Sequence, residues 1–125
     1  MKISEYKPEN EDDLFSAISK EPDWSEFTNE NAFDTYKESL KNSITFVCYN
    51  DSVFTGYVRA ILDKGLSVYI SELYVVPEWR NQKIGQSLLE RVRNDFYSLA
   101  IYALSDEDAY YQKKGYKLIG SVFKI

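Results

Sequence analysis

ISELYVVPEWRNQKIGQSLLERV, residues Ile70 to Val92, is in succession an apolar strand, a proline stop, a basic-polar loop and an amphipathic helix. The strand spans Leu66 to Val76, and its density of Val, Ile, Leu and Tyr suits a pleated, largely buried position. Pro77 ends it, because proline has no N–H to give to a ladder. Ile84, Leu88, Leu89, Val92 and Phe96 recur at helical spacing on one face, and Asn81 is the expected N-cap. Along the strand the alternation slips: Val68 and Ile70 share one phase, Leu73 and Val75 the other, with Ser71 and Glu72 between. A slip of one residue turns side chains to the wrong face unless a β-bulge absorbs it. The reading therefore places a bulge near Ser71–Glu72, leaving backbone N–H and C=O groups free for a ligand. The helix opens among Arg80, Asn81, Gln82, Lys83 and Gly85. Free N–H groups, a glycine and two cations at a helix N-terminus suit a phosphate. An ordinary βα turn with solvated charges is the other reading of the same residues.

Outward from this stretch, residues 2–7 predict a first strand, ended by Pro8. Asn10 is the expected cap of a helix to about Lys20, with Leu14, Ala17 and Ile18 facing inward, and Pro22 breaks it. A second helix is expected over about Asn31–Lys41. Between the two, Trp24 and Phe27 lie in a polar loop, EPDWSEFTNEN, either lining an acceptor pocket or packing against the helix pair. Ser43–Tyr49 and Val53–Leu62 predict a hairpin around Asn50-Asp51-Ser52, and Gly56 marks a bulge or a close backbone approach. Asp63-Lys64-Gly65 turns the chain into the central strand, completing an antiparallel meander. The helix from Lys83 to about Tyr97 then crosses to Leu99–Leu104, a strand parallel to the central one. Ser105 and Asp108 suggest a capped short helix, Gly115 its end, and Tyr116–Ile125 a last strand with Gly120 as a bend. The fold class is α/β: a mixed sheet with an antiparallel front, a parallel βαβ pair and helices on both faces.

The length, 125 residues, is that of a single domain, 1–125, with one core. No run approaches the roughly 18 apolar residues of a membrane span, and MKISEYKPENEDD lacks the apolar core of a signal peptide. The single cysteine, Cys48, lies in an apolar strand, so a cytoplasmic setting is the expectation. Histidine is absent, which removes the usual general base, the histidine-assisted nucleophiles and most transition-metal sites; no metal is expected. The net charge of -5 divides into -7 over residues 1–40 and +2 over 41–125, and argues against nucleic acid as a partner. The asymmetry suits an anionic cofactor on the second part and a cationic acceptor on the first; a solvated acidic surface explains it equally.

LYVVPEWRNQKIGQSLL resembles the acetyl-CoA-binding motif of the GNAT N-acetyltransferase superfamily, Arg/Gln-x-x-Gly-x-Gly/Ala after a strand ending in Val-x-Pro. Arg80 takes its first position and Gly85 its last, while Lys83 replaces the first glycine. GYVRAILDKG resembles the third strand and turn of that family, and DAYYQKKGYKLIG its aromatic-Tyr-x-Lys-x-Gly ending. The resemblance covers nearly the whole chain and implies the GNAT fold, acetyl-CoA as cosubstrate, and a small-molecule amine as acceptor. It further implies that backbone groups of Leu73, Tyr74, Val75 and Val76 pair with the pantetheine arm. Gln82, Lys83, Gly85, Gln86 and Ser87 then hold the pyrophosphate, Arg80 is a further cofactor-binding residue, and Tyr111 protonates the departing thiolate. Glu72 is the general-base candidate beside the bulge; binding a cationic acceptor and a solvated strand position are its other readings. Either a monomer or a homodimer is compatible with the family. An acyl-CoA-binding module without catalysis is the alternative function, and an interaction domain unrelated to coenzyme A the third.

Overall fold

A computed structural model describes all residues, 1–125. Five strands form one sheet in sequential order: β1 (Lys2–Glu5), β2 (Ile44–Asn50), β3 (Val53–Asp63), β4 (Ser67–Val75) and β5 (Ala100–Ala103). The first four are antiparallel neighbours, and β5 lies parallel to β4 over Ser67↔Ala100 to Ile70↔Ala103. The parallel crossover is made by α4 (Ile84–Asp95), as the apolar stripe of that segment requires.

One face of the sheet carries α1 (Glu11–Ile18), the single turn α2 (Ser25–Thr28) and α3 (Phe33–Asn42). Leu14, Phe15, Ile18, Tyr36 and Leu40 bury there against Val47, Phe54, Tyr57 and Tyr74. The other face carries α4, whose Ile84, Leu88, Leu89 and Val92 pack on Phe46, Val58, Val68 and Ile70. Burying side chains of this size contributes about 1.5–3 kcal/mol each, so the two faces hold the sheet from both sides. Residues 22–24 form a 3-10 turn leading into α2, not a loop. Trp24 packs edge-on against Tyr57 and Tyr74, and Phe27 stacks on Tyr36 with centroids 4.4 Å apart, so both aromatics are core material.

Two expectations at the C-terminal end are corrected. Tyr116–Ile125 is not a strand; it runs as exposed coil and leaves the outer edge of β5 unpaired. The short helix α5 (Asp108–Lys113) has Glu107 at its N-cap, while the Ser105 hydroxyl accepts from the Glu107 N–H at 3.1 Å and so caps no helical N–H. Gly115 does terminate the helix, at φ 86°. No helix is long and apolar enough to cross a membrane.

Candidate functional site

The register of β3 against β4 shifts where the alternation slips. Arg59 faces Glu72, but its neighbour Ala60 faces Ile70, which leaves Ser71 as the extra residue of a β-bulge. The bulge puts Ile70 on the α4 face and Glu72 and Tyr74 on the α1–α3 face, so both phases of the strand find a core. Pairing with β5 stops at the same place, after Ile70↔Ala103 and a last bond from Leu104 N–H to the Ile70 carbonyl at 2.9 Å. Beyond Ser71, one edge of β4 has no neighbouring strand.

The Val76 N–H donates to the Thr55 carbonyl at 2.9 Å, which fixes the ladder phase. By the alternation of an antiparallel pair, Tyr74 also turns its N–H and C=O toward β3, whereas Leu73 and Val75 turn theirs to the open edge. The Val75 carbonyl is taken by Arg80 Nε at 2.9 Å. Of the four backbone positions expected to face a ligand, Tyr74 and Val76 do not, since β3 occupies them. Leu73 N–H, Leu73 C=O and Val75 N–H remain. Close approach at this end depends on Gly56: a Cβ there would lie 2.5 Å from the Tyr74 carbonyl oxygen.

The edge leads to the N-terminus of α4. Asn81 is not the N-cap; Lys83 is, and both stand in the left-handed region, at φ 64° and 65°. The turn thus keeps the backbone shape that glycine would take most easily, at a cost of about 1–2 kcal/mol for a side chain there. The first turn of the helix holds no acidic residue, so its free N–H groups and the exposed Lys83 present positive potential together. Ser87 is half-buried, and its hydroxyl donates to the Lys83 carbonyl at 2.9 Å. Gln86 donates to Glu90 at 3.0 Å and accepts from Lys114 at 3.4 Å, and Gln82 is exposed. Arg80 reaches back to the strand end, with Glu21 at 3.9 Å from its guanidinium. Gly85 is buried under the Tyr110 ring, whose hydroxyl has no hydrogen-bond partner.

Tyr111 and Ser71 line one cavity of about 1080 Å³ together with Ile70, Leu104 and the segment 116–122. The structure therefore places Tyr111 of α5 and the bulge residue Ser71 on the walls of the same cavity. Burial raises its phenol to about 12, with Tyr110, Asp106 and Tyr116 adding to the effect. The hydroxyl is thus protonated across the neutral range.

Glu72 is 6% exposed, so the reading of a solvated strand residue is wrong. Arg59 donates to both of its oxygens, Nε to Oε1 at 2.7 Å and Nη2 to Oε2 at 2.8 Å. Tyr36 donates to Oε1 as well, and because that uses its only proton, Tyr57 is the donor in the 2.6 Å Tyr57–Tyr36 contact. Three of about four acceptor positions on the carboxylate are filled. A proton taken up here would break the guanidinium pair, so a general-base role is disfavoured by chemistry. Arg59 and Tyr36 escaped the sequence reading; the signal was a charged residue inside the apolar run VFTGYVRAIL, one bulge out of step with an acid on the next strand.

Residues 41–118 match the model of the acetyltransferase (GNAT) domain. The chain is 26% identical over 97 residues to GCN5-related N-acetyltransferase 3, chloroplastic, of Arabidopsis thaliana, which covers 74% of this chain and 41% of that protein. It therefore spans less than half the length of that relative. A GNAT-family acetyltransferase from Streptococcus pneumoniae TIGR4 shares the fold, with a TM-score of 0.75 at 18% identity over 99% of this chain and 96% of the other. The aminoglycoside N-acetyltransferase AAC(6')-Iy in complex with CoA reaches a TM-score of 0.78 at 13% identity, over 99% of this chain and 92% of its own. The matched span runs from the end of α3 through α5 and includes the bulge, the free edge and the α4 turn, and on it the chain belongs to the GNAT acetyltransferase family.

Proposed function

We propose that the chain is an N-acetyltransferase acting on the primary amine of a small cationic molecule by direct attack in a ternary complex. The single observation that carries this reading is the unpaired edge of β4, which starts at the Ser71 bulge and ends at the basic first turn of α4. When bound, acetyl-CoA supplies a thioester whose carbonyl carbon the amine attacks, an N–C bond replacing the C–S bond.

The residues fit that cosubstrate. Leu73 N–H, Leu73 C=O and Val75 N–H offer an extended arm the ladder that β5 no longer occupies. The N–H groups of Ile84, Gly85 and Gln86, with Lys83 beside them, hold a pyrophosphate at the helix N-terminus. Gln82, Ser87 and Arg80 belong to the same turn, Arg80 by fixing the strand end to it. An N–H at the bulge stabilises developing negative charge on the thioester oxygen. Tyr111, protonated at neutral pH, donates its proton to the leaving sulfur and recovers one from solvent. Glu72 supports the bulge, and the amine loses its proton to solvent water.

The small cationic acceptor is supported by the -7 net charge of residues 1–40, which build the α1–α3 face, and by the structural relative named for aminoglycosides. One observation favours a second reading, an acyl-CoA-binding module without catalysis: Arg59 neutralises the carboxylate nearest the bulge. The discriminating experiment is thiol release from acetyl-CoA over a panel of polyamines, arylalkylamines and aminoglycosides. Release above the buffer rate, reduced about 100-fold in Tyr111→Phe with coenzyme affinity kept, is the expected result. Tight binding without release on any amine establishes the module instead.

A further inference from the structure

We propose that Arg59 is a positioning residue that holds the Ser71 bulge in the shape that presents the β4 backbone to the thioester carbonyl; this deepens the reading above and rests on it. Its guanidinium makes four hydrogen bonds to side chains. Two go to Glu72, one runs from Nη2 to Ser71 Oγ at 3.1 Å, and one from Nη1 to Ser43 Oγ at 3.0 Å. In a regular ladder a β3 side chain faces one residue of β4. Here one planar cation grips both Ser71 and Glu72, the extra residue and the residue after it.

The other side of Glu72 is held by Tyr36 from α3, and Tyr36 in turn by Tyr57 from β3. The bulge is thus tied to its neighbouring strand and to a helix above it. Arg59 is itself largely buried, its side chain 12% exposed, and lies over the Tyr36 ring at 5.6 Å. Arginine suits this work because its fork of five donors is planar and rigid; lysine carries its three donors on one flexible nitrogen and does not reproduce the two-pronged grip. Arg59 touches no reacting atom. What it sets is the direction of the backbone groups from Ser71 to Leu73, where β4 parts from β5.

The test separates this role from mere stabilisation. Acetyl-CoA and S-ethyl-coenzyme A, which lacks the carbonyl oxygen, are titrated calorimetrically into wild type, Ser71→Ala, Ser43→Ala and Arg59→Lys. Ser71→Ala and Ser43→Ala each remove one Arg59 bond of nearly equal length, but only the first lies at the bulge. One hydrogen bond to the carbonyl gives wild type about a five- to tenfold preference for acetyl-CoA. Ser71→Ala is expected to cut that preference at least about threefold and Ser43→Ala to leave it unchanged. Arg59→Lys abolishes it while S-ethyl-coenzyme A binds as before. Equal effects of the two serine variants, or a preference retained in a folded Arg59→Lys protein, overturns the proposal, and Ser71→Ala decides it should Arg59→Lys not fold. Wild type that binds both compounds without preference also overturns it and leaves coenzyme binding standing. Wild type that binds neither overturns the function itself.

Discussion

A methyl group added to Gly85 would sit 2.7 Å from the Tyr110 hydroxyl, which is buried and has no hydrogen-bond partner. The first turn of α4 and the helix α5 are fitted together at this point, and glycine is there for space. Alanine would favour the helix by about 1 kcal/mol, but overpacking costs about 1–3 kcal/mol. Gly85→Ala is therefore expected to lower stability by about 1 kcal/mol. Tyr110→Phe removes the unpaired hydroxyl and is expected to raise stability by about 1 kcal/mol. The two single effects sum to about zero, but the double variant should be more stable than wild type by about 1–2 kcal/mol, because the clashing atom is gone and alanine's helix preference remains. Thermal melts of the four proteins check this, and additive effects would contradict it.

The Arg59–Glu72 pair is mostly out of water, with side chains 12% and 5% exposed. Replacing Arg59 by Met strands a buried carboxylate and is expected to cost about 3–5 kcal/mol. Replacing both, as Arg59→Met with Glu72→Leu, should cost less than either single change, since no charge is left uncompensated. Urea unfolding of the cycle measures the coupling.

Lys83 occupies a left-handed position with its side chain in solvent. Lys83→Gly relieves backbone strain of about 1–2 kcal/mol and adds unfolded-state freedom of about 0.5–1 kcal/mol. The expected net effect on melting is therefore small and favourable. Coenzyme A affinity should fall about two- to fivefold, the worth of one exposed charge, with a weaker dependence on salt. A β-branched Lys83→Val should instead melt lower, because its side chain resists positive φ.

Buried phenols make the protein sensitive to alkali. Burial, then Glu72 beside it, pushes Tyr36 far up; burial does the same to Tyr57. Burial and the Asp13 carboxylate raise Tyr49 to about 12, and Tyr111 reaches about 12 by burial. Each folded-state value lies above the unfolded value of about 10, so the protonated form favours folding. This contribution is complete below about pH 10 and is lost as pH rises through about 12. Melting temperature should thus decline over that window. A melting temperature that stays level through about pH 12 would contradict the assignment.

Much of the fold was legible because the side-chain pattern is strict where both faces are buried. The slip between Ile70 and Leu73 located the bulge, and the Ala100–Ala103 strand followed from the crossover. What failed were matters of local turn chemistry and of partners. Asn81 looked like a cap, but the turn continues through a second left-handed residue before the helix begins. Tyr116–Ile125 has the composition of a strand, but composition does not secure pairing, and the segment leaves the outer edge of β5 open. The bond pattern at Leu73 to Val76 depends on ladder phase, which the Val76–Thr55 bond sets and residue types do not show. Arg59 carries no signal of its own within the Val53–Leu62 strand; only the one-residue offset of the bulge aligns it with Glu72 and not with Ser71 alone.

The proposed site for acetyl-CoA is the β4 edge together with the α4 turn. Calorimetric titration of the purified chain with acetyl-CoA tests it without knowledge of the acceptor. The expected result is one site per chain with a dissociation constant in the micromolar range, weakening as salt screens the phosphates. No binding at millimolar acetyl-CoA, with the protein folded by its melting transition, would contradict it.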